Sequence, residues 1–159
     1  MFALRFTGCS VLALGAGLAF YLAPLKPGVL ALQLAFTPQA FARIIHAWPP
    51  EHLARYRAHL PLDFALLLGY GAFGFLLATR TDLFSRSSPR RRRLAAWTLP
   101  LAAVFDAAEN VLHWWLTAEP RFGLASVYAV AALASAAKWA LLVLFGVGVA
   151  GALVRREAA

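Results

Sequence analysis

Cysteine occurs once in the 159 residues, at Cys9, which excludes an intrachain disulfide and any cysteine-built zinc site. Acidic residues are also scarce: 7 Asp and Glu stand against 15 Lys and Arg, for a formal charge of +8. A glycine-rich phosphate loop, a nucleophile elbow and a paired-cysteine motif are all missing. Charge of either sign is thin, at 14% of residues, whereas 62% are hydrophobic, far above the roughly 45 to 50% of soluble domains. A water-soluble fold of this length could not hide that much apolar surface.

What is present is a set of apolar segments separated by basic ones. Segments at about 6–23, 62–78, 94–117 and 124–153 are each long enough, or nearly so, to cross a bilayer as a helix. The first could instead be a signal peptide. Against this, its leading region carries only Arg5, and a cut after Ala23 would leave Pro24 at the new terminus. Between the second and third segments, Arg80, Arg86 and the run Arg90, Arg91, Arg92 and Arg93 face the single acid Asp82, while Arg155 and Arg156 follow the fourth. Basic loops stay on the cytoplasmic side of bacterial membranes. The expected topology therefore has both termini and the arginine linker inside, in a bacterial inner-membrane protein. The arginines are read as that topology signal, with an anionic-lipid patch as the second reading and no nucleic-acid partner.

Residues 24–60 differ, mixing aromatic and aliphatic residues with Lys26, Arg43, His46, Glu51, His52, Arg55, Arg57 and His59. Thr37 followed by Pro38 makes a helix start, and Phe41, Ile44, Ile45 and Trp48 then recur at helical spacing. Pro49 and Pro50 end that helix, and Leu53, Tyr56 and Leu60 mark a second short one leading to Pro61. The expectation is an all-α, four-helix membrane bundle with an amphipathic helical hairpin at about 37–60 on its outer side. The three histidines of this hairpin, spaced by six and seven, do not make one compact ligand set and read as interfacial residues.

The chemistry lies in polar groups placed where lipid should be. Asp106, Glu109, Asn110 and His113 fall at spacings of three, four and seven, on one face of the third helix, with Thr117 continuing the stripe. Ionisable groups in hydrocarbon are costly and face the bundle interior with partners. Lys138, near the middle of the fourth helix as Asp106 is of the third, is the natural partner, either as a structural clasp or as a coupled pair. Asp63, with Tyr70 seven residues on, sits at the outer end of the second helix near the depth of His113. Asp63, Glu109 and His113 form a weak candidate set for zinc or iron, since the four-residue spacing of Glu109 and His113 lacks the first histidine of a zincin motif; no metal is expected. Trp97 fits one membrane boundary and Trp114 and Trp115 the other, whereas Trp139 adjoins Lys138 and reads as packing or as ligand lining.

The Leu62, Asp63, Phe64 motif with Tyr70, followed by Asp106-Ala107-Ala108-Glu109-Asn110 and joined by the helix start within residues 32–48, resembles a set of uncharacterised bacterial four-helix membrane proteins. The resemblance spans most of the chain and implies fold and membrane location, with no activity attached. In plan the chain is also similar to four-helix sterol-isomerase-like membrane proteins, which hold intramembrane acids around an apolar ligand; the likeness is one of plan and not of aligned residues.

Together these features lead to a polar cavity in the outer half of the bundle that binds a lipid-like or small amphipathic molecule. Asp63, Glu109, Asn110 and His113 would meet the polar head, Tyr70 and Trp114 would line the cavity, Asp106 and Lys138 would form its floor, and the hairpin would be its lid. An enzyme is the first rival, with Glu109 or Asp63 as base and His113 as acid on a lipophilic substrate. A structural or assembly subunit that clasps helices through the stripe is the second. Membrane lipids are the expected partners, self-association is left open, and no cofactor is specified.

Overall fold

The computed structural model describes residues 1–85 and 87–157, without the side chains of Arg156 and Glu157. Arg86, counted above in the basic linker, lies outside the described residues, as does the side chain of Arg156. Among the described residues there is no strand. The helices run in chain order as α1 (Phe2–Leu22), α2 (Val29–Gln33), α3 (Pro38–Ala47), α4 (Pro50–Arg80), α5 (Pro89–Leu116) and α6 (Ala125–Glu157), with one 3-10 turn at Asp82–Phe84 before α5. Of these, α1, α4 and α6 are long and apolar enough to cross a membrane. α5 has the length, at 28 residues, but its arginine start and the Asp106, Glu109 and Asn110 stripe lower its apolarity.

Two of the helices, α3 and α5, begin at a side-chain cap. Thr37 Oγ1 accepts from the Ala40 amide at 3.2 Å with Pro38 as the first helical residue, and Ser88 Oγ accepts from the Arg91 amide ahead of Pro89. The apolar face of α3 is buried as its spacing requires: Phe41 is 1% exposed, Ile45 5% and Trp48 4%. These side chains close one end of the bundle together with Leu25, Leu32, Tyr56, Leu60, Leu116 and Tyr128.

The expected hairpin needs a correction. Residues 50–60 are not a separate short helix; they are the first turns of α4, which continues through Pro61 without a break. Proline at that position removes one backbone N–H, so the Arg57 carbonyl loses its helical partner. Pro61 is exposed, about three turns into α4, and a long packed helix tolerates the loss of one backbone hydrogen bond there. A second correction concerns the basic linker: Arg90, Arg91, Arg92 and Arg93 lie inside the first turns of α5, because Ser88 and Pro89 start the helix five residues before the apolar segment does.

α4 and α5 form the centre of the bundle. α6 packs on α5, and α1 packs on α4 while making little contact with α6. Glycine sets two of these approaches. A Cβ on Gly74 would lie 2.7 Å from the Leu99 side chain of α5, and one on Gly69 would lie 2.9 Å from Val11 of α1. The four long helices are thus an open array in the order α1, α4, α5, α6, with a gap between its first and last members.

Candidate functional site

The gap between α1 and α6 is a cleft of about 410 Å³. Its walls are apolar: Val11, Leu18 and Leu22 on α1, Leu66 on α4 and Leu142 on α6. Its floor is polar, made of Gln33, His59, Asp63, Tyr70, Asp106 and Lys138. Five helices contribute because the array is open there, and α2 crosses the end of the gap to bring Gln33 inward.

Lys138 organises the buried part of the floor. Its Nζ lies 2.9 Å from Asp106 Oδ1 and 2.6 Å from Glu109 Oε2, with all three side chains nearly fully buried. The remaining carboxylate oxygens are also engaged. Tyr70 donates to Asp106 Oδ2 at 2.9 Å, and Gln33 Nε2 donates to Glu109 Oε1 at 2.7 Å. Gln33 Oε1 in turn accepts from Trp139 Nε1 at 3.0 Å, which ties α2, α5 and α6 into one chain of hydrogen bonds. Burial of this many charges requires that each be paired and hydrogen-bonded.

Asp63 is placed differently. Its Oδ2 accepts from Asn110 Nδ2 at 2.8 Å, and among the described residues no ion pair involves it. It is only partly buried and lies on the cleft. Lys138 is shared between Asp106 and Glu109 and leaves Asp63 without a cation among the described residues.

His113 is set back from the cleft. It is 1% exposed, its Nδ1 shares a 2.6 Å hydrogen bond with the Tyr56 hydroxyl, and its ring meets Phe41 edge-on at 5.5 Å. Glu109 Oε1 is 3.8 Å from the same nitrogen. The Tyr56 ring also packs at a tilt against Trp48 and His59, and its backbone carbonyl accepts from His59 Nδ1. These rings form an aromatic plug between the cleft and the capped end of the bundle.

The stripe residues Asp106, Glu109, Asn110 and His113 are therefore all buried on the inner face of α5, and Asp63, Tyr70 and Lys138 meet them from α4 and α6. Asp63, Tyr70, Asp106 and Lys138 reach the cleft directly, while Glu109, Asn110 and His113 stand behind it. Trp114 is elsewhere. It is 48% exposed on the outer surface, with the Arg57 guanidinium 5.0 Å from its ring centroid, so it does not line this cavity. Of the weak metal set, Glu109 and His113 stay 3.8 Å apart but are engaged by Lys138, Gln33 and Tyr56, while Asp63 turns to Asn110. Among the described residues no group of three His, Cys, Asp or Glu side chains is placed to hold a metal ion.

Gln33, Tyr56 and His59 belong to the network and were not anticipated as site residues. His59 is buried, at 5% exposure, rather than interfacial. Its only sequence signal is position: seven residues before Leu66 and four before Asp63, it shares their face once α4 is known to run through Pro61. No protein-family model, curated protein or solved structure matches the chain. What fold and site define together is the class: a helical protein with three helices able to cross a membrane and a buried network of charged and polar groups.

Proposed function

We propose that the protein is a multi-pass membrane protein that holds a lipid-like or small amphipathic molecule in the cleft between α1 and α6. One observation carries this reading: a cleft whose walls are aliphatic side chains of membrane-length helices and whose floor is a fixed set of polar groups. An amphipathic molecule matches both parts, with its tail against Leu18, Leu22 and Leu142 and its head over Asp63, Tyr70 and Lys138. Because the gap lies at the side of the bundle, such a molecule would enter laterally from the lipid.

In this reading α5 is the fourth span, carried across by pairing its stripe with α4 and α6. Both termini and the arginine-rich end face the cytoplasm of a bacterium, and α2 and α3 cover the cleft's outer end as a lid. The Asp106, Lys138 and Glu109 group serves as the clasp that fixes the floor, and Asp63 is the group left to meet a ligand. A head that donates hydrogen bonds suits this floor better than an anionic one, since Lys138 is already shared by two carboxylates.

The test is native mass spectrometry of the protein purified in mild detergent, with extraction and identification of any retained molecule. A stoichiometric amphiphile that is retained by the wild type and lost in Asp63→Asn, with the thermal midpoint unchanged, is the expected result. A wild type that retains nothing, also after incubation with total membrane lipid, would sink the proposal and leave the network as a clasp alone.

A further inference from the structure

The arginine-rich end of the bundle carries two hollows that share a wall. One, of about 560 Å³, lies between the end of α4 and the first turns of α5, with Thr79, Ser87, Arg92 and Arg93 around it. The other, of about 530 Å³, is a trough along the outer surface where α4 meets α5, lined by Leu68, Gly71, Ala72, Pro100, Val104 and Ala107. Phe75 and Trp97 belong to both. Their rings stand edge to face at 5.7 Å and form the sill between the basic hollow and the apolar trough.

The basic hollow is a fixed feature. Arg92 donates to the backbone carbonyls of Ala78 and Thr79 at 3.2 and 3.1 Å, which holds its guanidinium at the junction of the two helices. Arg93 is exposed beside it, and among the described residues no ion pair involves either arginine. The trough exists because small residues line it: Gly71 and Ala72 on α4 and Ala107 on α5 leave room that larger side chains would fill. From Trp97 to Ala107 it extends about 15 Å along α5, half of a hydrocarbon core about 30 Å thick.

A basic hollow alone would attract any anion, and an apolar trough alone would take any acyl chain. Joined end to end at a membrane boundary, they select a molecule that has both parts in that order. We propose that this composite groove is a binding site for one anionic phospholipid, its phosphate at Arg92 and Arg93 and one acyl chain over the sill of Phe75 and Trp97 into the trough. The site is separate from the cleft between α1 and α6, and its occupancy does not depend on what the cleft holds.

The experiment reconstitutes the full chain in nanodiscs containing equal phosphatidylglycerol and phosphatidylcholine of matched chains, and releases it for native mass spectrometry. One retained phosphatidylglycerol is expected, with no phosphatidylcholine equivalent. Arg93→Gln should lower that adduct about fivefold, the worth of one arginine near an anionic surface. Arg90→Gln, which removes an equal charge outside the groove, should leave it unchanged. Ala72→Phe, which fills the trough from an exposed position, should abolish it, and Val104→Phe repeats that test on α5 should Ala72→Phe lower the thermal midpoint. Inorganic phosphate at millimolar concentration should not displace the lipid. Equal retention of phosphatidylcholine, equal losses from Arg90→Gln and Arg93→Gln, insensitivity to both trough variants, or displacement by phosphate would each overturn the proposal.

Discussion

Lys138 illustrates what a single residue must do in this interior. Its ammonium bridges Asp106 and Glu109, so removing it strands two buried carboxylates at once. Breaking a buried pair from one side costs about 3 to 5 kcal/mol. Lys138→Met should therefore lower the thermal midpoint in detergent sharply, and the triple variant Lys138→Met, Asp106→Asn, Glu109→Gln should recover much of the loss; equal midpoints for wild type and Lys138→Met would show that the bridge is dispensable. The pairing of Lys138 with Asp106 could be read in the sequence because both lie mid-helix and a buried charge demands a partner. Gln33 could not. It lies in a short helix with no periodic signal, and it reaches Glu109 only because α2 folds across the end of the gap. Tyr56 and His113 show the same limit, since the hydrogen bond between them depends on how two helices rotate against each other.

At the scale of elements, close approach is set by what is missing from a side chain. Gly74 faces Leu99 so closely that a Cβ would sit at 2.7 Å, inside any real contact. Gly74→Val should cost about 1 to 3 kcal/mol, the usual penalty for overpacking, read as a lower thermal midpoint. Gly146→Val is the control: a Cβ there meets nothing within 4 Å, and its midpoint should stay near that of wild type. A similar loss in both would show that glycine acts here through backbone freedom and not through packing. The long helices were legible from hydropathy, and the start of α3 from its Thr37-Pro38 pair. The continuity of α4 was not, because proline in a sequence signals a boundary, whereas the exposed position of Pro61 in a long packed helix makes one lost hydrogen bond tolerable.

For the whole molecule, the membrane reading makes the single cysteine useful. Cys9 is exposed on α1, so only lipid would shield it from a reagent. In intact vesicles a charged, membrane-impermeant maleimide should leave Cys9 unmodified until detergent is added. In a Cys9→Ala background, Ser88→Cys should react only in vesicles that expose the cytoplasmic face. Labelling of Cys9 at the rate of Ser88→Cys in sealed vesicles would remove α1 from the membrane, and reaction of Ser88→Cys from outside would invert the topology. α5 has a further consequence for how the chain is made. It is the long helix that falls short of the apolarity of the other three, and the cation its carboxylates require is carried by α6. In the proposed four-span arrangement, α5 has no stable place in lipid until α6 has emerged, and the two are expected to leave the translocon as one hairpin. A released chain truncated after Leu124 should leave α5 open to added protease in membranes, whereas the full chain should protect it. On that arrangement the order of biogenesis is set by a charge held 32 residues downstream of its partner.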